Sequence, residues 1–281
     1  MNFHSIFPDL GPWIKSLATS WPGSAIKGSD WAFPAIQIVH VLALSALGGA
    51  VLLPSLRLMN VGITTVSPAT TEKTVRPLLW IALALLVFTG LLMSTVLGQR
   101  LYNRPAFFVK MVALAAALIL SFGVVSPMAK NDGALNNTVR VLAGVALLLW
   151  AFAVFIFGTT MGAAPGLFHL VCAGALIVLA AGSRLSRIVL AAAVAVVCAA
   201  LIATFFIYNP LDMRPEMMDV ERWMLRLGGL VIAGLLAWDF LRPPADDKPK
   251  RDARFVGLLT ILCWITVAAA GRWIGLGGDG G

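Results

Sequence analysis

Two of the three histidines, His40 and His169, lie inside strongly apolar stretches of a chain that is otherwise poor in charge. Histidine is the commonest metal ligand among side chains, and an ionisable group inside hydrocarbon is costly enough that its presence points to a site. The iron of a b-type haem takes one nitrogen from each side, so a histidine from each of two packed helices would serve it. Measured back from Arg57 and Arg184, the basic residues that follow the two stretches, the histidines lie about 25 and about 23 Å away at a helical rise of ~1.5 Å per residue. That mismatch is less than one helical turn, so the two imidazoles are expected at similar depth, towards one face. Haem propionates would need cations at that rim, for which Arg100, Arg104, Lys110, Arg226 and Arg272 qualify. His4 lies in the interfacial N-terminal segment and reads as an ordinary surface residue.

Elements able to hold such a pair follow from composition. Of 281 residues, 59% are hydrophobic and only 12% charged, with mean hydropathy +0.90. Soluble domains carry roughly 25% charged residues, so this is an integral membrane protein. The apolar matter falls into blocks of about 20 residues, the length a helix needs to cross ~30 Å of hydrocarbon. Eight such blocks are expected, near 31–53, 76–98, 106–127, 139–160, 164–182, 185–207, 222–241 and 254–275. They must be helical, because lipid offers no partner to a bare backbone amide and the short alternating segments of a barrel are absent. The fold class is therefore all-α, with eight transmembrane helices preceded by an amphipathic interfacial segment, residues 1–30, carrying Trp13, Ile14, Leu17 and Trp21.

An internal repeat divides the remainder into halves, 31–162 and 163–281. Arg140 and Trp150 are followed by Gly158, and Arg254 and Trp264, at the same spacing, by Gly271. The two tyrosines, Tyr102 and Tyr208, each precede an asparagine and, shortly after, an Arg-Pro pair. With four helices per half the repeats insert in the same sense and are parallel. The net charge of +8 is spread over short connections, as expected of membrane-facing and topogenic charge, and nucleic acid is excluded as a partner. A slight excess of Lys and Arg on the side of the odd-numbered connections places both termini outside. The proline-rich, mixed-charge stretch 242–254 reads as a solvated loop.

Other chemistry finds no support. His-Glu-x-x-His, a serine elbow, a phosphate loop and clustered acids are all missing. No carboxylate falls in the middle of the expected spans, which argues against a proton-coupled pump or carrier. Cys172, Cys198 and Cys263 are dispersed through apolar blocks and read as small packing residues. Trp150 and Trp264 read as packing or interfacial anchors; beside a haem they would flank a quinone.

The run Trp31 to His40, the Val41 to Gly49 segment and Leu56-Arg57-Leu58 resemble the first helix of a functionally uncharacterised family of small bacterial membrane proteins. Asn103-Arg104-Pro105-Ala106-Phe107, Lys110 and Gly271-Arg272-Trp273 are similar to its other landmarks. Where that family carries acids before the histidine and before the Leu-Arg pair, this chain has Gln37 and Ser55. More distantly, the first helix resembles the membrane domains of the CopD copper-resistance proteins and b-type cytochromes. The resemblance implies that His40 is a ligand.

Together these features lead us to expect a bacterial inner-membrane subunit that carries electrons through haem b held by His40 and His169 near the outer, periplasmic face. It would exchange electrons with quinone or quinol in the bilayer and with a periplasmic cytochrome or dehydrogenase, the cofactor doing the chemistry. The rival expectations are a copper permease using histidines with Met161 and Met213, and a cofactor-free membrane anchor for a larger complex.

Overall fold

The computed structural model describes residues 2–159, 174–207 and 248–276, without 63, 132, 135, 180 and 181, and scattered positions between 223 and 238. The expectations that fall on His169, Arg226, Cys172, Met161 and Met213 lie outside the described residues.

Short helices α1 (Phe3–Ile6), α2 (Gly11–Leu17) and α3 (Gly23–Lys27) come first, with a single 3-10 turn, Pro8–Leu10, between the first two. Asn2 opens α1 with a reciprocal cap: its side chain accepts from the Ser5 amide at 2.8 Å while Ser5 Oγ accepts from the Asn2 amide at 3.2 Å. Long helices follow: α4 (Ala32–Leu58), α5 (Pro68–Asn103), α6 (Pro105–Leu118), which continues through a π-helical stretch, Ile119–Val125, into α7 (Ser126–Lys130), then α8 (Asn137–Thr159), α9 (Arg184–Ile207) and α10 (Lys248–Leu276). Among the described residues, five segments are long and apolar enough to cross a bilayer: Ala32–Leu58, Pro68–Asn103, Pro105–Lys130, Asn137–Ile156 and Arg251–Ile274. The protein is thus all-helical where described and suited to multi-pass insertion.

Local chemistry explains the helix boundaries. Ser67 caps α5 by accepting from the Thr70 amide at 3.1 Å, and Pro68 takes the first turn, where its missing N–H costs nothing. The helix therefore starts eight residues before the expected span at 76 and runs through Pro77. The preceding connection is tied by Arg57, which donates to the Asn60 side chain at 3.0 Å and to the Val66 carbonyl. At the other end of the third span Gly133, with φ of 84°, lets its amide reach back to the Met128 carbonyl at 2.8 Å.

α4 and α5 form the most extensive pair, and α10 packs into the same bundle against α6 and α4, while α6 also contacts α8. Small buried residues line these seams: Ala43 and Ala50 on α4, Ala82 on α5, Ala113, Ala116 and Ala117 on α6, and Ala270 on α10. Without a hydrophobic drive inside lipid, close backbone approach through small residues is what holds such helices together. Between α4 and α10 the approach is close at Gly257, where a Cβ would come 2.7 Å from the Ser55 carbonyl. Large apolar side chains point outward instead, among them Leu42, Trp80, Ile81, Phe88, Leu91, Val141, Leu148 and Phe155. An outward apolar belt of this kind requires a lipid surround.

Candidate functional site

His40 projects from the third turn of α4 towards α5 and is half-buried. Its Nδ1 lies 2.8 Å from Thr89 Oγ1, and the Thr89 hydroxyl lies 2.6 Å from the Leu85 carbonyl one turn earlier. A threonine has a single hydroxyl proton. With that proton engaged by Leu85, the contact to histidine is Nδ1–H donating to the threonine oxygen. The imidazole is then the Nδ1–H tautomer and Nε2 carries the lone pair. A metal-binding histidine is typically oriented in this way, with its far nitrogen held by a second group.

Gly90 supplies the floor. A Cβ built there would stand 3.4 Å from His40 Cε1 and 3.9 Å from Nδ1, so the ring edge lies against the α5 backbone. The adjacent Thr89-Gly90 pair thus fixes both the hydrogen bond and the closeness of the ring. Beyond His40, the lipid-facing side of α4 carries Ser45, Gly48 and Gly49, all exposed, and a Cβ at either glycine would meet nothing within 4 Å.

Lys110 enters from the first turns of α6. Its side chain runs along α10, where a Cβ on Gly271 would be 3.6 Å from Nζ and 3.7 Å from Cε. The ammonium is close enough to His40 for its field to act on the imidazole. No carboxylate pairs with Lys110 among the described residues. The remaining expected cations are arranged differently. Arg100 stands on α5 about 16 Å beyond Thr89 at ~1.5 Å per residue; Arg104 occupies the α5–α6 junction, and both are partly buried. Arg272 is exposed on α10 next to Gly271. Arg226 lies outside the described residues; of the other four, Lys110 is the one whose charge reaches His40.

His4 is exposed and stacks edge-on with Tyr102 at 5.2 Å, outside the site. Tyr102 is itself buried and donates its hydroxyl proton to the Phe7 carbonyl. Phe3 meets Phe107 and Phe108 with ring centroids 5.6 and 5.3 Å apart, and Ile14 packs on Gly98. The N-terminal helices therefore sit at the end of the bundle nearest His40, with Trp13, Trp21 and Trp31 exposed around it.

The matched tryptophans act alike. Trp150 Nε1 donates to Thr266 Oγ1 at 2.9 Å, and Trp264 Nε1 donates to Ser121 Oγ at 3.0 Å, each across a helix interface. Both are buried packing anchors. Cys263 is buried as expected of a small core residue, whereas Cys198 is exposed on α9.

Sequence reading missed two features. Thr89 looks like any threonine in an apolar run, and only the α4–α5 pairing makes it the partner of His40. Glu72 falls outside the expected second span, which begins at Arg76. It lies in α5, is buried, and has its Oε1 3.3 Å from Arg76 Nε. Arg76 also donates to Ser126 Oγ at 3.1 Å.

Residues 18–164 match the family of unknown function DUF6644. The match covers more than half of the chain, and the protein belongs to this family. DUF6644 membership places His40, Thr89, Gly90, Lys110 and Glu72 within the shared segment, while His169 and Gly271 lie beyond it. No curated protein and no solved structure matches the chain.

Proposed function

We propose that this DUF6644 protein is a membrane electron-transfer subunit that binds one b-type haem through His40 and His169. The observation that carries the reading is the contact of His40 Nδ1 with the Thr89 hydroxyl oxygen, whose own proton is directed at the Leu85 carbonyl, an arrangement that suits the Nδ1–H tautomer and leaves Nε2 as a neutral lone-pair donor of the kind iron takes. Lys110 supports it: a half-buried ammonium whose charge reaches the imidazole, with no carboxylate partner among the described residues, would neutralise a propionate. Bound haem supplies one-electron chemistry at a potential tuned by its axial ligands and burial. The protein's own part is to hold His40 in one tautomer, keep the ring flush with α5, and exclude water with the surrounding apolar helices.

The reading includes two parallel four-helix repeats, eight spans in all, with the second supplying His169. The equal Arg140-to-Trp150 and Arg254-to-Trp264 spacing in the sequence supports that symmetry. It also places the site near the periplasmic face of the bacterial inner membrane, with both termini there. Quinol in the bilayer and a periplasmic cytochrome or dehydrogenase would be its redox partners.

The test is a dithionite-reduced minus oxidised spectrum of protein produced with ample haem. A sharp haem band, lost in both His40→Ala and His169→Ala, is expected. A featureless spectrum overturns the proposal, and copper found in the same sample would assign the histidines to metal handling instead.

A further inference from the structure

At the opposite end of the bundle, a cavity of about 20 Å³ lies between α4, α5, the π-helical stretch and α10. A site needs roughly 10–15 Å³ to hold one water, so this one takes a single water or an ion of similar size. Its walls are apolar except for a ring of oxygen bearers: Ser55, Glu72, Ser121 and Thr260, with Arg76 beside them. Ser55 and Thr260 each donate to the carbonyl four residues earlier, at 2.8 Å in both cases. Their oxygens are left as acceptors.

Two backbone irregularities add to this ring. Pro54 lies inside α4 and has no N–H, so the Ala50 carbonyl one turn earlier receives no bond from it, and Ala50 and Pro54 both line the cavity. The π-helical stretch widens the third span where Ser121, Phe122 and Val125 face the same space. Helix carbonyls freed in this way, together with hydroxyls and a carboxylate, are the donor set that membrane proteins use for small hard cations. A single carboxylate, already shared with Arg76, carries too little charge for a divalent ion.

We propose that this cavity is a binding site for one sodium-sized monovalent cation, ligated by Glu72 and the hydroxyl and carbonyl oxygens around it, with Arg76 as an internal competitor for the carboxylate. The Arg76 side chain is 40% exposed against 10% for Glu72, so it forms the outer edge through which an ion enters. The site lies about 25 Å along α5 from Thr89 at ~1.5 Å per residue and does not depend on the role of His40.

The decisive experiment measures binding of radioactive sodium to the purified full-length protein, together with its Tm in sodium, potassium and choline chloride at equal ionic strength. Saturable sodium binding is expected, with a sodium-specific rise in Tm. Thr260→Val keeps the shape of the residue but removes an oxygen, and should weaken binding about tenfold; Glu72→Gln should abolish it. Arg76→Gln should tighten binding about tenfold while lowering Tm in choline, because the competing charge is gone and the carboxylate is left unpaired. Equal Tm values in the three salts with no saturable sodium uptake would overturn the proposal. So would sodium binding that Arg76→Gln weakens, since Arg76 would then be part of the scaffold rather than a competitor.

Discussion

Trp264 on α10 donates its indole N–H to the hydroxyl of Ser121, 3.0 Å away in the π-helical stretch that follows α6. Both residues are buried, so the bond is made where neither group can turn to water. Removing one partner strands the other, at a cost of about 1–3 kcal/mol. Trp264→Phe and Ser121→Ala are each expected to lower unfolding stability by about that amount. The double variant should lose less than the sum, because the stranded group is gone. Unfolding of the detergent-solubilised protein checks this, and strictly additive losses would show that the bond contributes nothing.

Thr89→Val removes the oxygen that holds His40 Nδ1–H without changing side-chain shape. Partners of this kind are worth about 10–100-fold in metal affinity. Haem retention should fall by that order in Thr89→Val and stay near wild type in Thr89→Ser, which keeps the hydroxyl. A haem titration of the two variants followed by absorbance decides it; equal affinity in both removes Thr89 from the site.

At Gly90 the room is just enough for a methyl group. A Cβ would sit 3.4 Å from His40 Cε1, an ordinary contact, so Gly90→Ala should be nearly silent. The extra methyls of Gly90→Val would overlap the imidazole and turn it. The expected outcome is a shifted or lost haem band with α5 still helical by circular dichroism. A normal band in Gly90→Val would place the ring elsewhere.

Glycines elsewhere separate close approach from open surface. A Cβ at Gly257 would meet the Ser55 carbonyl at 2.7 Å, whereas at Gly144 it would meet nothing within 4 Å. Overpacking of this sort costs about 1–3 kcal/mol. Gly257→Ala should therefore lower Tm, while Gly144→Ala, on an exposed helical face, should leave it unchanged or raise it by the ~0.4–1 kcal/mol that a stiffer unfolded chain contributes. Thermal unfolding of the two variants side by side provides the check.

Particular residues show how far the sequence could be read. The apolar blocks of α4, α6, α8 and α10 stood out because each is a long run bounded by charge, and His40 stood out because a polar ring inside such a run is rare. The start of α5 did not, because Arg76-Pro77 resembles a boundary. A proline inside a helix removes one N–H and crowds one carbonyl, and the Ser67 cap, Pro68 and the bundle around Glu72 carry the helix past it. Glu72 falls before the expected second span, and the longer helix brings it, in its second turn, into a buried place beside Arg76.

By itself the sequence determined that the chain is a set of membrane-length helices, because apolar runs of that length can satisfy their backbone in lipid in no other way. It also determined that His40 and Lys110 belong near the same end of the bundle, since depth follows from residue count along a rigid helix. Only the tertiary structure decided which hydroxyl meets His40 Nδ1, which hydroxyl receives Trp264, and that Ser55, Glu72, Ser121 and Thr260 share one cavity. Those relations join residues far apart in the chain, and they depend on how each helix is rotated about its axis. Rotation is set by close packing of small residues such as Ala50, Ala116 and Gly257 against neighbouring helices, which a hydropathy pattern in uniformly apolar segments does not encode.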